Sequence, residues 1–268
     1  MTPFLKWPGG KRWFVFNHAE LLPVEFRVYH EPFLGSGAVF FHLNPQRAVL
    51  SDTNRELIAT YRAIKSDALA IERRLRRHQS MHDDDHYYRT RNAPRTDDLR
   101  TEAARFLYLN RTCFNGIYRV NLQGVFNVPR GTKTSVVLPT DNFAEVRRLL
   151  WRAKLESCDF EPAIDRAEPG DLVFADPPYT VRHNNNGFVK YNETLFSWAD
   201  QERLAAALGR AAYRGVKVVA TNADHDEVRN LYAQRCFQLT SVKRYSSISS
   251  SRESRKAFAE LVIRANCK

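Results

Sequence analysis

The run "LVFADPPY", residues 172–179, sets a carboxylate, two prolines and a phenol directly behind four apolar residues. Pro177 and Pro178 lock φ and remove two N–H donors, so their carbonyls can face a ligand without competition from backbone amides. Tyr179 offers a flat ring for stacking. Asp176 and a prolyl carbonyl then present two acceptors beside an aromatic face. That set matches an exocyclic amino group on a planar base, with two N–H donors and a π surface. Holding both N–H bonds draws the nitrogen out of conjugation and turns its lone pair toward an electrophile.

Two more groupings can do chemistry. In "EPFLGSG", Phe33, Gly35, Ser36 and Gly37 follow a short strand and open a helix. Glycines there allow a tight turn and close approach of a ligand to the backbone. Asp52 ends the next strand, "RAVLSD", near the interval at which an acid meets ribose hydroxyls in nucleotide-binding βαβ units. The pattern is shorter than GxGxxG, so a dinucleotide site is not favoured, and a glycine turn beside a solvated Asp also fits. In "FLKWPGGK", Lys6 and Lys11 flank Trp7 and two glycines. Such a turn suits an anionic or zwitterionic ligand bearing a flat group, or a surface turn with Trp7 packed inward.

These residues need a frame. Leu172–Ala175 reads as a buried strand, and in parallel sheets the ligand crevice opens at the carboxyl ends of the strands. Val28–Glu31, "RAVLSD", "AKLESCDF" and "VKVVATNAD" are further strands. "SWADQERLAAALGRAAYRG" is a capped helix stopping at Gly215, and "HDEVRNLYAQ" is a second helix. The tail "QLTSVKRYSSISSSRESRKAFAELVIR" gives two strands around a polar, basic loop. Alternating strands and helices predict an α/β fold with a mostly parallel sheet. The interval from about Tyr61 to Pro139 breaks that rhythm and reads as a second, mainly helical domain. The helix leading into it carries Leu57, Ile58, Tyr61, Ile64 and Leu69 on its apolar face, with "RRLRRH" (73–78) on the polar side. Gln79–Arg100 reads as a polar insertion, Thr101 as a helix cap, and residues 115–136 as loop and hairpin.

The chain has 268 residues, 43% of them hydrophobic, with 41 Lys plus Arg against 30 Asp plus Glu. A formal charge of +11 attracts polyanions, nucleic acid first and an anionic membrane surface second. Four scattered cysteines form no CxxC pair and suit a reducing cytosol, and no signal peptide or membrane-length apolar run is present. An intracellular protein without a metal site is expected.

"FLKWPGGK", "EPFLGSG", "VLSD", "FADPPY" and "SSISSSRESRKAFAELVI" occur in the order seen in Dam-type DNA adenine-N6 methyltransferases, and "LYLNRTCFNGIYRVNLQGVFNVPRG" is similar to that family's DNA-contacting segment. The resemblance implies a Rossmann-like methyltransferase sheet with an antiparallel C-terminal strand and an inserted, mainly helical target-recognition domain. Residues 1–60 and 140–268 would form the catalytic domain, and 61–139 the insertion. It further implies S-adenosylmethionine as donor, S-adenosylhomocysteine as product, and double-stranded DNA as substrate, commonly at GATC. Trp7, Lys11, Phe33, Gly35, Ser36, Gly37, Asp52, Asp159, Phe160 and Asp176 match the family's donor pocket, with Asp52 on the ribose and Asp159 and Phe160 at the adenine. Asp176, Pro177, Pro178 and Tyr179 match its catalytic motif.

By the same resemblance Phe114, Asn115, Ile117 and Arg119 enter or read the DNA near the target base, and Lys6 contacts the first guanine. Pro129, Arg130, Lys133, Arg252, Arg255 and Lys256 are further DNA-contact candidates. Thr112 and Cys113 stand where many relatives have an aromatic and a glycine, Phe114 replaces a frequent tyrosine, and Ile117 a frequent leucine. The reading is a site-specific adenine methyltransferase acting on a flipped base, prokaryotic or phage-encoded, cytoplasmic, nucleoid-associated and monomeric. Its rivals are a catalytically silent DNA-binding protein and a methyltransferase for cytosine N4, an RNA adenine or a glutamine amide. A nicotinamide enzyme is disfavoured because nothing presents a hydride site.

Overall fold

The computed structural model describes residues 1–121, 125–180, 196–233, 236–245 and 257–267. Along the chain run α1 (Arg12–Asn17), β1 (Tyr29–Glu31), α2 (Ala38–Leu43), β2 (Ala48–Asp52), α3 (Arg55–Ser80), α4 (Asp84–Asn92), α5 (Leu99–Thr112), α6 (Phe143–Leu150), β3 (Ala153–Ser157), α7 (Phe160–Asp165), β4 (Leu172–Ala175), α8 (Trp198–Tyr213), β5 (Lys217–Ala223), α9 (Asp226–Ala233), β6 (Gln238–Tyr245) and β7 (Ala257–Ala265). Two compact units divide the chain. The first comprises Met1–Arg12, Leu34–Gln46 and Asp52–Ser157, and the second Trp13–Phe33, Arg47–Ser51 and Cys158–Lys268.

Six of the sheet's seven strands run largely or wholly through the second unit, in the order β2-β1-β4-β5-β7-β6. Pairing is parallel from β2 to β5 and antiparallel at β7 and β6, so the expected mixed α/β fold and antiparallel carboxyl end are present. All four residues of β4 are buried, as a central parallel strand covered on both faces requires. The core around it includes Ile164, Val173, Leu204, Leu208, Val218 and Ile263. The helix read from "SWADQERL" starts at a full capping box between Ser197 and Asp200. It stops before Gly215, whose φ of +87° is the left-handed value a helix end favours.

The first unit is mainly helical. α3 kinks at Asp67 (φ −147°, ψ 78°), whose carboxylate re-caps the helix by accepting from the Ala70 amide at 3.0 Å. The kink rotates the apolar face. Ala68, Ala70, Ile71 and Leu75 are buried, and Leu69, expected on that face, is 62% exposed. Two other expectations are corrected. The polar stretch Gln79–Arg100 contains a helix, α4, capped by Asp83. α5 is capped by Asp98, and Thr101 instead donates its hydroxyl to that carboxylate at 2.6 Å. An aspartate just ahead of the helix accepts a free first-turn N–H better than a threonine already inside it.

Two polar clasps bind the N-terminal segment to the end of α5. The Asn110 amide accepts from the Lys6 N–H at 3.1 Å and donates to the Lys6 carbonyl at 2.8 Å. The buried Arg111 guanidinium forms a two-pronged pair with Asp141 at 2.7 Å and donates to the Phe4 and Val136 carbonyls. Fork-to-fork geometry with further carbonyl acceptors is what makes a buried guanidinium tolerable. No helix among the described residues is long and apolar enough to cross a membrane.

A histidine cluster closes the far end of α3. His78 Nδ1 lies 2.9 Å from His86 Nε2, His82 Nδ1 lies 2.9 Å from the Tyr108 hydroxyl, and the His78 ring stacks on Tyr108. Burial, then the neighbouring His86 and Arg77, pulls His78 down to about 4. His82 and His86 are also lowered, first by burial. Depressed folded values mean that stability is full above the unfolded histidine value and is lost as pH falls toward 4. Between pH 7 and 5, His78 alone should remove about 2 kcal/mol. Denaturant melts across that range should show the loss, and His78→Phe should flatten it.

Candidate active site

The second unit builds the strand-end acid from behind. β4 and β5 are parallel with Ala175 opposite Ala220, so the next residues, Asp176 and Thr221, fall side by side. The buried Thr221 hydroxyl donates to Asp176 Oδ1 at 2.9 Å. Tyr179 donates its hydroxyl to Glu260 Oε2 at 2.8 Å, and Arg244 donates to Glu260 Oε1 at 2.8 Å. Glu260 reaches this position because β7 runs antiparallel beside β5, pairing Glu260 with Ala223. Burial, then the Glu260 and Asp176 carboxylates, pushes the Tyr179 phenol well above its ordinary value, so it stays a donor. Gln201, fully buried on α8, donates to the Pro178 carbonyl at 3.3 Å and accepts from Asn222 at 2.9 Å. None of the described residues donates to the Pro177 carbonyl, the acceptor left beside Asp176.

Also in this unit, Phe33 stacks on Phe160 at 5.4 Å, with Phe196 edge-on to Phe33. Asp159 caps α7 through the Glu161 amide, and Arg203 pairs with it at 2.9 Å while lying 4.8 Å above the Phe160 ring. The loop ahead of α7 is therefore pinned from α8.

In the first unit, the Gly35 N–H donates to Asp52 Oδ2 at 3.2 Å and the Asn54 N–H to Oδ1 at 2.9 Å. Gly35 has φ +47°, and a Cβ there would stand 2.8 Å from Trp7 Cδ1, so the indole lies directly against this backbone. Tyr61 donates to the Gly35 carbonyl at 3.1 Å. Lys11 is buried and donates to the Gly9 carbonyl at 3.1 Å, and Ser36 is buried near Gly10. Desolvation raises the Asp52 carboxyl to about 6, against the pull of its two backbone bonds. Each carboxylate oxygen accepts one backbone N–H and keeps a free lone pair, which suits a vicinal diol.

The first unit also carries the segment expected to read DNA. Phe114 (53% exposed), Asn115 and Arg119 face solvent, and Ile117 is half-buried. Asn115 (φ +56°) and Gly116 (φ +67°) form a left-handed turn whose glycine packs on Lys6, where a Cβ would stand 2.8 Å from Cδ. Arg119 donates Nε to Asn127 at 3.2 Å. The exposed Pro129 accepts from the Phe114 N–H at 2.9 Å, and Arg130 pairs with Asp84. Lys133 is exposed, and Arg252, Arg255 and Lys256 lie outside the described residues. Among the described residues no three His, Cys, Asp or Glu side chains are grouped to hold a metal ion.

Residues 7–248 match the model of the D12 class N6 adenine-specific DNA methyltransferases. The chain is 33% identical over 98% of its length, and 95% of the relative's, to the type II methyltransferase M1.LlaDCHI of Lactococcus lactis subsp. cremoris. It is 31% identical to the DNA adenine methylase of Vibrio cholerae, covering 97% of this chain and 94% of that one. A DNA N-6-adenine-methyltransferase of Escherichia phage P1 is 34% identical over 93% of this chain, which spans 33% of the phage protein.

The backing residues Thr221, Gln201, Asn222, Arg244 and Glu260 escaped sequence reasoning. Only "VKVVATNAD", with its polar pair at the strand end, held a usable signal. Burial, then the neighbouring Lys133 ammonium, pulls Lys6 down to about 8. Replacing Lys133 by alanine should therefore raise the Lys6 value, read by side-chain nitrogen NMR from pH 6 to 11. A Lys6 titration that does not move would separate the two ammonium groups.

Proposed function

Because the chain belongs to the D12 class N6 adenine-specific DNA methyltransferases, we propose that it moves a methyl group from S-adenosylmethionine to adenine N6 in duplex DNA, at GATC or a related short site. The observation that carries this reading is the strand-end grip: Asp176 aimed by Thr221, the Pro177 carbonyl left unoccupied by the described residues, and Tyr179 locked by Glu260. A flipped adenine would lay its ring on Tyr179. Its two N6 protons would meet Asp176 and the Pro177 carbonyl. When bound, S-adenosylmethionine supplies an electrophilic methyl sulfonium.

The chain's own groups do the rest. Asp176 holds an N6 proton and offsets the positive charge that grows on that nitrogen, an electrostatic role more than that of a strong base. Thr221 keeps the carboxylate from rotating away, and Gln201 keeps the Pro178 carbonyl out of the contest. Trp7, Lys11, Gly35, Ser36, Gly37 and Asp52 would hold the donor's amino-acid and ribose portions, and Phe33, Asp159 and Phe160 its adenine. Extruding a base costs a few kcal/mol, and the exposed Phe114 offers a ring to fill the gap. Asn115 and Ile117 would flank the target base. Arg119 presents a guanidinium suited to O6 and N7 of guanine. Lys6 would meet the outer guanine, with Lys133, Arg130 and Pro129 along the backbone.

Nucleoside mass spectrometry of DNA from cells producing the chain should show N6-methyladenine, and long-read sequencing should place it in one short motif. N4-methylcytosine in its place would move the reading to another amino group. Asp176→Ala should abolish transfer while duplex affinity stays largely intact, and transfer that survives it overturns the assignment. Arg119→Ala should cost about 1–3 kcal/mol at one base pair and relax selectivity there. Equal losses on cognate and non-cognate duplexes would make it a phosphate contact instead.

A second prediction concerns the donor. Protonation removes the charge of Asp52 and turns one of its acceptor oxygens into a donor, so S-adenosylhomocysteine should bind more weakly as pH falls through about 6. Calorimetry should show that dependence vanish in Asp52→Asn. An unchanged pH profile in the variant removes Asp52 from the ribose.

A further inference from the structure

The segment from Phe114 to Arg119 faces two ways. Phe114, Asn115 and Arg119 point to solvent, whereas Tyr118 turns inward. Its ring lies nearly parallel to Trp7, centroids 5.8 Å apart and planes 20° apart, and packs on Phe106 at 4.9 Å and Phe126 at 5.6 Å. Its hydroxyl donates to Glu56 in the first turn of α3, and Glu56 also pairs with Arg95. Trp7 lies against Gly35, and Gly35 donates to Asp52. One side chain thus touches the indole beside the glycine loop and the first turn of α3, which begins just after Asp52. The next residue in the chain is Arg119.

Resting on the function proposed above, we propose that Tyr118 is a positioning residue that couples methyl-donor binding to sequence reading. A bound donor presses on the loop that Trp7 covers, and the Trp7–Tyr118 stack carries that placement into the backbone of Arg119. The anchor follows directly on the left-handed turn at Asn115 and Gly116. A non-glycine residue at φ +56° costs free energy that surrounding contacts must offset. With Tyr118 fixed, the turn and the guanidinium beyond it have one arrangement. With it loose, Arg119 samples several and discriminates less. The hydroxyl bond to Glu56 ties the far end of the ring to α3, so stack and hydrogen bond act together.

Coupling between two ligands is reciprocal, and a uniform loss of either affinity leaves the coupling ratio unchanged, which separates lost coupling from general weakening. The affinity of a duplex bearing the mapped methylation motif is measured by anisotropy with and without S-adenosylhomocysteine. The affinity of S-adenosylhomocysteine is measured by calorimetry with and without that duplex. The two ratios should agree in the wild-type protein, within the roughly 5- to 150-fold span of ordinary coupling. Tyr118→Phe keeps the stack and should lower the ratio severalfold. Tyr118→Ala should bring it close to one and narrow the preference for the motif over single-mismatch duplexes. If Tyr118→Ala fails to fold by circular dichroism, Tyr118→Phe decides alone. A ratio that stays at the wild-type value in the folded variants, or equals one in a wild-type protein that methylates adenine, overturns the inference. Absence of N6-methyladenine with the wild-type protein instead overturns the function on which it rests.

Discussion

A charge at the end of a buried strand is useful only while something holds it in one direction, and here the Thr221 hydroxyl helps to do so. Thr221 donates to Asp176 because β4 and β5 are parallel and in a register that sets the two residues abreast. A slip of one position would carry Thr221 to the opposite face of the sheet. The backing behind Tyr179 depends on the same frame. β7 enters antiparallel between β5 and β6, and it brings Glu260 to the level at which β5 ends. A fully buried glutamate is costly alone, so Arg244 and the Tyr179 hydroxyl together make it affordable. The result is a phenol whose hydroxyl is held in place at the end of the strand.

The first unit solves a different problem with the same means. Its N-terminal segment is short and would fray without anchorage. Asn110 binds both backbone groups of Lys6, and Arg111 binds the Phe4 carbonyl, so residues 4–6 take the stiffness of α5. The exposed Phe114 then hangs from a helix end rather than from a free loop. An aromatic ring left half in water is an ordinary surface feature when isolated. Beside an exposed arginine and a left-handed asparagine it has the composition that the proposed reading of DNA would need. The overall charge of +11 agrees with that use, since the phosphate backbone supplies most of the affinity of such surfaces.

How far the sequence could be read depends on whether a signal was local. The strand-end tetrapeptide, the glycine loop and the acid closing β2 were legible because each is written in consecutive residues with strong backbone preferences. The Ser197 cap and the Gly215 stop were legible for the same reason. Leu69 was misread because periodicity presumes a straight helix, and Asp67 bends this one. α4 was hidden because its nine residues are almost wholly polar, and only Asp83 marks its start. The backing residues lay out of reach altogether. Glu260 and Tyr179 stand 81 positions apart, and nothing in either stretch says that β7 will be inserted beside β5.

The two kinds of residue also differ in what they tolerate. A side chain that holds another from behind must match it in length and donor type, so Thr221→Val would remove the hydrogen bond to Asp176 Oδ1. Under the proposed function, a side chain that faces solvent would meet its partner only when DNA arrives, and substitution there would change what is read rather than whether the fold stands. Thr112 and Cys113 fall on the inner side of this division. Thr112 donates to the Tyr108 carbonyl at 2.7 Å and Cys113 is buried with its thiol pushed up to about 11, so both serve the end of α5. Of the other two departures, Phe114 is exposed and Ile117 half-buried. Under the proposed function, differences in the site recognised, relative to proteins carrying tyrosine and leucine there, would trace to those two positions.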